Sequence, residues 1–150
     1  MPRQKIREGD IFEISLENAE KSFGQVLSLE SEALNSVGIA LWESSTLSHS
    51  EMMAKMPVAV LLVTPDLLKN GIWPIIGNAP PVVTVSQRPY ERFRSKGWVG
   101  ANVVGSGIAV EFMRACAGLR PWNKWANPSY LDELLFTNVA RPLRARQSYS

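Results

Sequence analysis

The sequence predicts an α+β fold: a mainly antiparallel, curved (barrel-like) sheet with C-terminal helices. Three observations indicate this fold: an alternating apolar stretch near the start, a series of short apolar runs separated by turn residues, and a change to helical spacing in the last third. With 150 residues, of which 45% are hydrophobic, the chain is long enough to close one core. We therefore expect a single domain over residues 1–150.

The first strand is predicted from the stretch "GDIFEISLENAEKSFGQVLSL", which begins at Gly9. Phe12 and Ile14 fall on one face of an extended chain, while Glu13 and Ser15 fall on the other. This period of two residues is typical of a half-buried strand. We therefore expect Phe12 and Ile14 to point into the core.

Further strands are expected where short apolar runs lie between clusters of Pro, Gly, Asn and Ser. The seven predicted strands are 10–16, 23–29, 37–42, 58–63, 72–76, 82–85 and 98–104. The most apolar stretch, "MPVAVLLVTP", is too short to span a bilayer and has a proline near each end. It predicts a buried strand, and we expect no membrane partner.

Two helices are predicted near the end of the chain, where the apolar spacing becomes helical. In "SGIAVEFMRACAGL", Ser106 is expected to cap the start of the first helix and Gly118 to end it. In "NPSYLDELLF", Asn127 is the expected N-cap of the second helix and Pro128 its first residue. These helices follow the strands in the chain, as in an α+β fold.

Segment 43–57, "ESSTLSHSEMMAKMP", fits two structures. Ser48 followed by Glu51 resembles a capping box, which favours a short helix. The polar composition is equally typical of a mobile loop. The sequence leaves both alternatives open.

Charge and cysteine content constrain the compartment and the partners. A net charge of +2 with 20% charged residues is too small to imply a polyanionic partner, and we expect the tail "RPLRARQ" to be a solvated end. The single cysteine, Cys116, excludes an intrachain disulfide. The N-terminus "MPRQKIREGDIF" lacks the apolar core of a signal peptide, so we expect a cytoplasmic protein.

The residue inventory argues against metal and nucleophilic chemistry. A zinc site needs three or four converging ligands, and the chain has one histidine and one cysteine. A site made wholly of carboxylates remains possible, but no EF-hand spacing or paired acidic motif stands out. We therefore expect no cofactor, no metal site and no catalytic residues. His49 lies in a polar stretch and is expected to be an exposed loop residue. Cys116 lies on the apolar face of a predicted helix and is expected to be a buried, inert thiol.

Two other stretches resemble functional motifs only weakly. "RPYERFRSKGW" interleaves aromatic and basic residues, as single-strand nucleic-acid binders do, but without a recognisable module it predicts a solvated loop. Nucleic acid is therefore an unlikely partner by sequence. "GWVGANVVGSG" lacks the spacing of a phosphate-binding loop and predicts a kinked strand that leads into the helix.

The tryptophans stand out because there are five of them. Each buries a large area and needs a partner for its indole N–H, so some are expected in the core and some at an interface. In "RPWNKWANPSY", Trp122 and Trp125 either form a lid over the sheet or anchor an interface. Candidate acidic spots are Glu30 with Glu32, and Asp132 with Glu133; both could instead be solvated faces.

Two stretches carry a resemblance to a known family. "REGDIFEISLENAEKSFGQVL" resembles the opening of the immunity protein 26 family, which typically begins with a Gly-Asp-apolar-Phe-x-Ile-x-Leu strand and continues with an aromatic-Gly-x-Val strand. "GIWPIIGNAPP" is similar to the Trp-x-apolar-Ile-Gly element of that family. The two matches occur in the expected order.

The resemblance implies an immunity protein of a bacterial polymorphic-toxin system, which binds the cognate toxin encoded beside it and neutralises it by occlusion. Such a role places the predicted toxin contacts among exposed aromatic and acidic residues: Trp42, Trp98, Trp122, Trp125, Asp132 and Glu133. Because the net charge is positive, we expect a neutral or acidic toxin, or local clusters of acids. The oligomeric state is left open.

Two alternatives remain. The same family grouping includes a protein described as a phosphotriesterase, so a small hydrolase is one of them. Phosphotriesterase chemistry commonly uses a metal-activated water, for which this chain offers no histidine-rich site. A β-rich nucleic-acid-binding module is the other.

Overall fold

The structure, a computed structural model, describes residues 3–147, the side chain of Asn18 excepted. Its six strands are β1 (Asp10–Ser15), β2 (Lys21–Glu30), β3 (Ser36–Trp42), β4 (Ala59–Val63), β5 (Ile75–Asn78) and β6 (Val103–Val104). They form one sheet in the order β5-β1-β2-β3-β4-β6, with every neighbouring pair antiparallel except β4 and β6. The sheet is somewhat curled but not closed. The predicted α+β class is confirmed. The sheet is curved as predicted, but it stays open and does not close into a barrel.

The alternating first strand is confirmed. Phe12 and Ile14 are almost completely buried, and the Phe12 ring stacks on Trp73 with ring centroids 5.2 Å apart. Phe12 lies opposite Gly24 of β2, whose missing side chain leaves room for the ring. The packing of β1 against β2 therefore depends on a large residue facing a glycine.

The described residues also form four α-helices, α1 (His49–Met53), α2 (Asp66–Lys69), α3 (Ser106–Cys116) and α4 (Tyr130–Leu134), and three 3₁₀ helices. Segment 43–57 therefore contains a short helix, and the capping box between Ser48 and Glu51 is present. Gly118 follows the end of α3 in a left-handed conformation with φ +77°, as expected of a residue that ends a helix.

Two predicted helix starts are wrong. Ser106 is the first residue of α3, not its cap, and its hydroxyl donates to Asp66 Oδ1 over 2.8 Å. The second helix begins at Tyr130, because Asn127 Oδ1 accepts from the Ser129 backbone N–H and forms a turn before the helix. Pro128 lies in that turn and not in the helix.

The sheet has a hydrophobic core on each face. The residues of α3 and α4 pack on one face with Phe12, Ile39 and Val63. The opposite face, with Leu27, is covered by α1 and by the loop between β5 and β6. Strand β3 is buried along its whole length, since both faces of the sheet are covered around it.

Two of the predicted strands, 82–85 and 98–104, are wrong in whole or in part. Both fall in the part of the chain that covers the face of the sheet with Leu27. Residues 82–85 do not pair, because the Gln25 side chain takes the place of a neighbouring strand: its Oε1 accepts from Val82 N, and its Nε2 donates to Ala79 O. In the predicted strand 98–104 only Val103–Val104 pair, because Trp98 and Gly100 have positive φ and turn the chain.

The remaining boundaries differ by a few residues. The predicted strand 72–76 is displaced to Ile75–Asn78, because the Trp73 backbone N–H bonds to Leu67 O and its side chain turns into the core. No helix within residues 3–147 is both long enough and apolar enough to cross a bilayer.

Candidate functional site

The single histidine and the single cysteine lie in different parts of the fold. His49 begins α1, where its half-buried ring meets Phe23 edge-on with centroids 5.9 Å apart, so it is not the exposed loop residue expected. Cys116 is buried in the core on the opposite face of the sheet, as predicted, and burial raises the pKa of its thiol. The sheet therefore separates the imidazole from the thiol.

A metal site would need several ligating side chains close together. Within residues 3–147 there is no group of three or more His, Cys, Asp or Glu side chains that could hold a metal ion. The predicted lack of a metal site and of a cofactor stays a prediction about the purified protein. Among the described residues, the histidine and the cysteine therefore do not form a nucleophile–base pair with each other.

The basic and aromatic segment that resembled a nucleic-acid binder is a 3₁₀-helical segment, Pro89–Lys96, and Arg94 within it is held in ion pairs. Arg94 pairs with Glu30 over 2.6 Å and with Glu91 over 2.8 Å, and its guanidinium lies over the Trp98 ring. Hydrogen bonds to Glu91 and Glu30 raise the pKa of Arg94, which therefore stays charged. The segment covers the sheet and is not the solvated loop expected.

Three of the tryptophans predicted as toxin contacts are buried. Trp42, Trp98 and Trp122 each expose less than a tenth of their surface. The indole N–H of Trp42 donates to Lys55 O over 2.9 Å, and that of Trp122 donates to Asp132 Oδ1 over 3.0 Å. Their rings therefore serve the core of the free protein.

Trp125, Asp132 and Glu133 lie close together in the chain, around α4. The half-buried Trp125 ring contacts Tyr130, with centroids 5.1 Å apart. Asp132 accepts hydrogen bonds from Arg141 and, with a smaller effect, from Trp122, and both lower the pKa of its carboxyl. We call Trp125, Asp132 and Glu133 the C-terminal surface.

The candidate acidic spot at Glu30 and the tail "RPLRARQ" both form contacts within the domain. Glu30 is buried and paired with Arg94, so Glu32 alone is exposed there. In the tail, Arg144 pairs with Glu20 over 2.8 Å and the Trp122 backbone N–H donates to Arg146 O over 2.6 Å. The tail is therefore docked along the domain, contrary to the expected solvated end.

A groove that the sequence reasoning missed lies beside the N-terminal segment. Its volume is about 340 Å³, and Arg3, Lys5 and Lys69 contribute cationic groups to its lining. Ile6 and Leu29 contribute apolar surface. We call it the basic groove. Lys69 is far from the other two cations in the chain, so no local pattern could have revealed it.

The fold places the chain among small α+β domains built on an open, curled sheet. The chain belongs to the immunity protein 26 family, whose model matches residues 7–100, more than half of its length. No curated protein and no solved structure matches it. The family match includes Trp42 and Trp98 but ends before α3 and the C-terminal surface.

Proposed function

We propose that this chain is an immunity protein that binds a cognate bacterial toxin and neutralises it by occlusion, in the cytoplasm of the cell that produces the toxin. The observation that carries the proposal is the family match over residues 7–100. The described part of the chain supports binding more than catalysis, because its histidine and its cysteine lie on opposite sides of the sheet. Occlusion needs a stable surface and no reactive group.

The surface offers contacts of the kind that protein interfaces use. Among the described residues, exposed large apolar side chains are Leu29, Leu34, Met56, Ile72, Ile76, Val82, Val85, Val99 and Leu143. On the C-terminal surface, part of the Trp125 ring is exposed, and Glu133 presents an exposed carboxylate. Asn127 Nδ2 donates a hydrogen bond of 2.8 Å to that carboxylate. We propose Trp125, Asp132 and Glu133 as toxin contacts, with Trp42, Trp98 and Trp122 supporting the interface from within the core.

Protection of cells tests this function. Cells that express the toxin encoded beside this chain should survive when they also express the wild-type chain. His49→Ala should protect as well as the wild type, because the imidazole has no hydrogen-bond partner among the described residues. Circular dichroism should confirm that the variant folds.

A matched pair of variants tests the proposed contacts. If Trp125 is a hot spot, Trp125→Ala should weaken toxin binding by about 2 kcal/mol or more. Val99→Ala, which truncates an exposed apolar side chain elsewhere, should leave the affinity unchanged. The immunity proposal fails if the purified chain binds no toxin and hydrolyses a p-nitrophenyl ester in a His49-dependent way.

A further inference from the structure

The basic groove brings together three cations without neutralising them. Arg3, Lys5 and Lys69 are exposed and form no ion pair or side-chain hydrogen bond with any described residue. Six arginines elsewhere are held in ion pairs within 4.0 Å of a carboxylate, namely Arg7, Arg94, Arg114, Arg120, Arg141 and Arg144. The groove therefore retains positive charge that is available to a partner.

The backbone that carries two of these cations is fixed in place. Gln4, which lies between Arg3 and Lys5, donates from Nε2 to Leu68 O over 2.8 Å and to Trp73 O over 3.0 Å. Its Oε1 accepts from a third backbone group, and its own N–H donates to Lys69 O. A partner that binds here would not need to order the N-terminal segment first, which lowers the entropic cost of binding.

One exposed apolar side chain lines the groove, and another precedes the lining residue Asn35 in the chain. Leu29, in the groove lining, is 53% exposed, and Leu34, in the β2–β3 turn, is 83% exposed. Leu34 also has φ +58°, a left-handed conformation that favours Gly or Asn. The turn explains this conformation, because Leu34 and Asn35 are its two left-handed central residues and the Ser36 N–H closes it onto Ala33 O over 3.0 Å. The turn does not explain why the residue is an exposed leucine, and this choice points to a role outside the fold.

One carboxylate near the groove forms no ion pair with its cations. Asp66 lines the adjoining cavity with Arg3 and Lys69. Its Oδ1 accepts hydrogen bonds from Thr64 over 2.7 Å and from Ser106 over 2.8 Å, and it forms no ion pair. The Asp66 carboxylate therefore serves the junction between α2 and α3.

We propose that the basic groove docks a segment of the partner toxin that carries carboxylates beside apolar side chains. This inference rests on the proposed immunity function and adds the chemistry of the contacting segment. The carboxylates would pair with Arg3, Lys5 and Lys69, and the apolar side chains would cover Leu29 and Leu34. Nucleic acid fits less well, since its backbone offers no apolar group to cover two exposed leucines and favours more extended basic surfaces.

Charge reversal tests the groove with a defined probe. The probe is a labelled 12-residue peptide of alternating Asp and Leu, with a Lys–Leu peptide and a 20-nucleotide single-stranded DNA for comparison. Lys5→Glu/Lys69→Glu should weaken binding of the acidic peptide about tenfold or more at low ionic strength, because it replaces attraction by repulsion. Lys55→Glu/Lys96→Glu changes the net charge equally through exposed lysines outside the groove lining, and should have less than about a twofold effect.

Leu34→Asn provides a readout that a purely structural role would not give. Because asparagine tolerates the left-handed conformation, the variant should unfold at a higher urea concentration than the wild type and yet bind the acidic peptide more weakly. A lower urea midpoint would show that Leu34 serves the fold. Equal loss of binding in both lysine pairs, or DNA binding as tight as peptide binding, would overturn the proposed groove specificity.

Binding measurements with the toxin itself distinguish failure of the proposed groove contact from failure of the proposed immunity function. Wild-type binding of the toxin that weakens in Lys5→Glu/Lys69→Glu, but not in Lys55→Glu/Lys96→Glu, supports both. Toxin binding that is unchanged in the groove variant overturns the inference and leaves the immunity function intact. Binding of the acidic peptide without binding of the toxin contradicts the immunity function while the groove remains an acidic-peptide site.

Discussion

The contact between Phe12 and Gly24 gives a prediction that can be worked out from the packing. Phe12 is fully buried, stacks on Trp73 and fills the space opposite Gly24. Phe12→Ala should therefore cost about 3 to 5 kcal/mol of unfolding free energy, the range for emptying a buried aromatic site. Gly24→Ala should destabilise by about 1 to 3 kcal/mol through overpacking. Its new Cβ would lie 2.7 Å from Phe12 Cε2 and 3.0 Å from Ala40 O.

The two changes should not be additive. In Phe12→Ala/Gly24→Ala the new methyl group occupies part of the space left by the ring, so the clash with Phe12 disappears. The double variant should be more stable than the sum of the single effects predicts by about 1 kcal/mol or more. Urea unfolding followed by circular dichroism measures all four proteins.

A second series of variants, in which Phe12→Leu replaces Phe12→Ala, allows the same comparison if Phe12→Ala does not fold. Phe12→Leu should cost less than about 1.5 kcal/mol and still relieve the contact with a residue-24 methyl group. Additivity within about 0.3 kcal/mol in both series would refute the proposed packing. A cost of Phe12→Ala below about 1 kcal/mol would show that the face of β1 is assigned wrongly.

Three further predictions concern charged and ionisable groups. Arg94→Met should cost about 1 to 3 kcal/mol in urea unfolding, because it leaves the buried Glu30 carboxylate without its guanidinium partner; an unchanged midpoint would contradict this. Hydrogen bonds from Thr64 and then Ser106 lower the pKa of Asp66, so their stabilisation is present above the ordinary carboxyl pKa and is lost as the pH falls through the folded value. Thr64→Val should therefore lose less stability than the wild type between about pH 7 and about pH 3, and equal losses would refute the linkage. Burial raises the pKa of Cys116, so a thiol reagent should label it only on unfolding; rapid labelling of the native protein would contradict its placement.

Local patterns predicted several elements because the physics that forms them is local. The alternation at Phe12 and Ile14 predicted β1, and the Ser48–Glu51 spacing indicated the capping box of α1. The helical spacing before Gly118 predicted most of α3. Each of these signals lies within one helix or one strand.

Long-range contacts explain what the sequence could not predict. Residues 82–85 have strand-like composition, but the buried Gln25 side chain bonds their loop from a distant strand. The basic groove forms because the backbone of Gln4 is hydrogen-bonded to that of Lys69, which brings Arg3 and Lys5 close to Lys69. No local spacing in the sequence predicts this long-range contact. The burial of Trp122 likewise depends on a tail that returns to the fold.

The most direct test of the central claim is a titration of toxin activity with the purified chain, at a toxin concentration well above the dissociation constant. An immunity protein that acts by occlusion should reduce the activity linearly, and the activity should reach its minimum when the binding sites are saturated, at one equivalent for a one-to-one complex. Full activity at a large excess of the chain would contradict the immunity function. Complete loss of activity far below one equivalent would show that the chain inactivates the toxin catalytically, and would contradict occlusion.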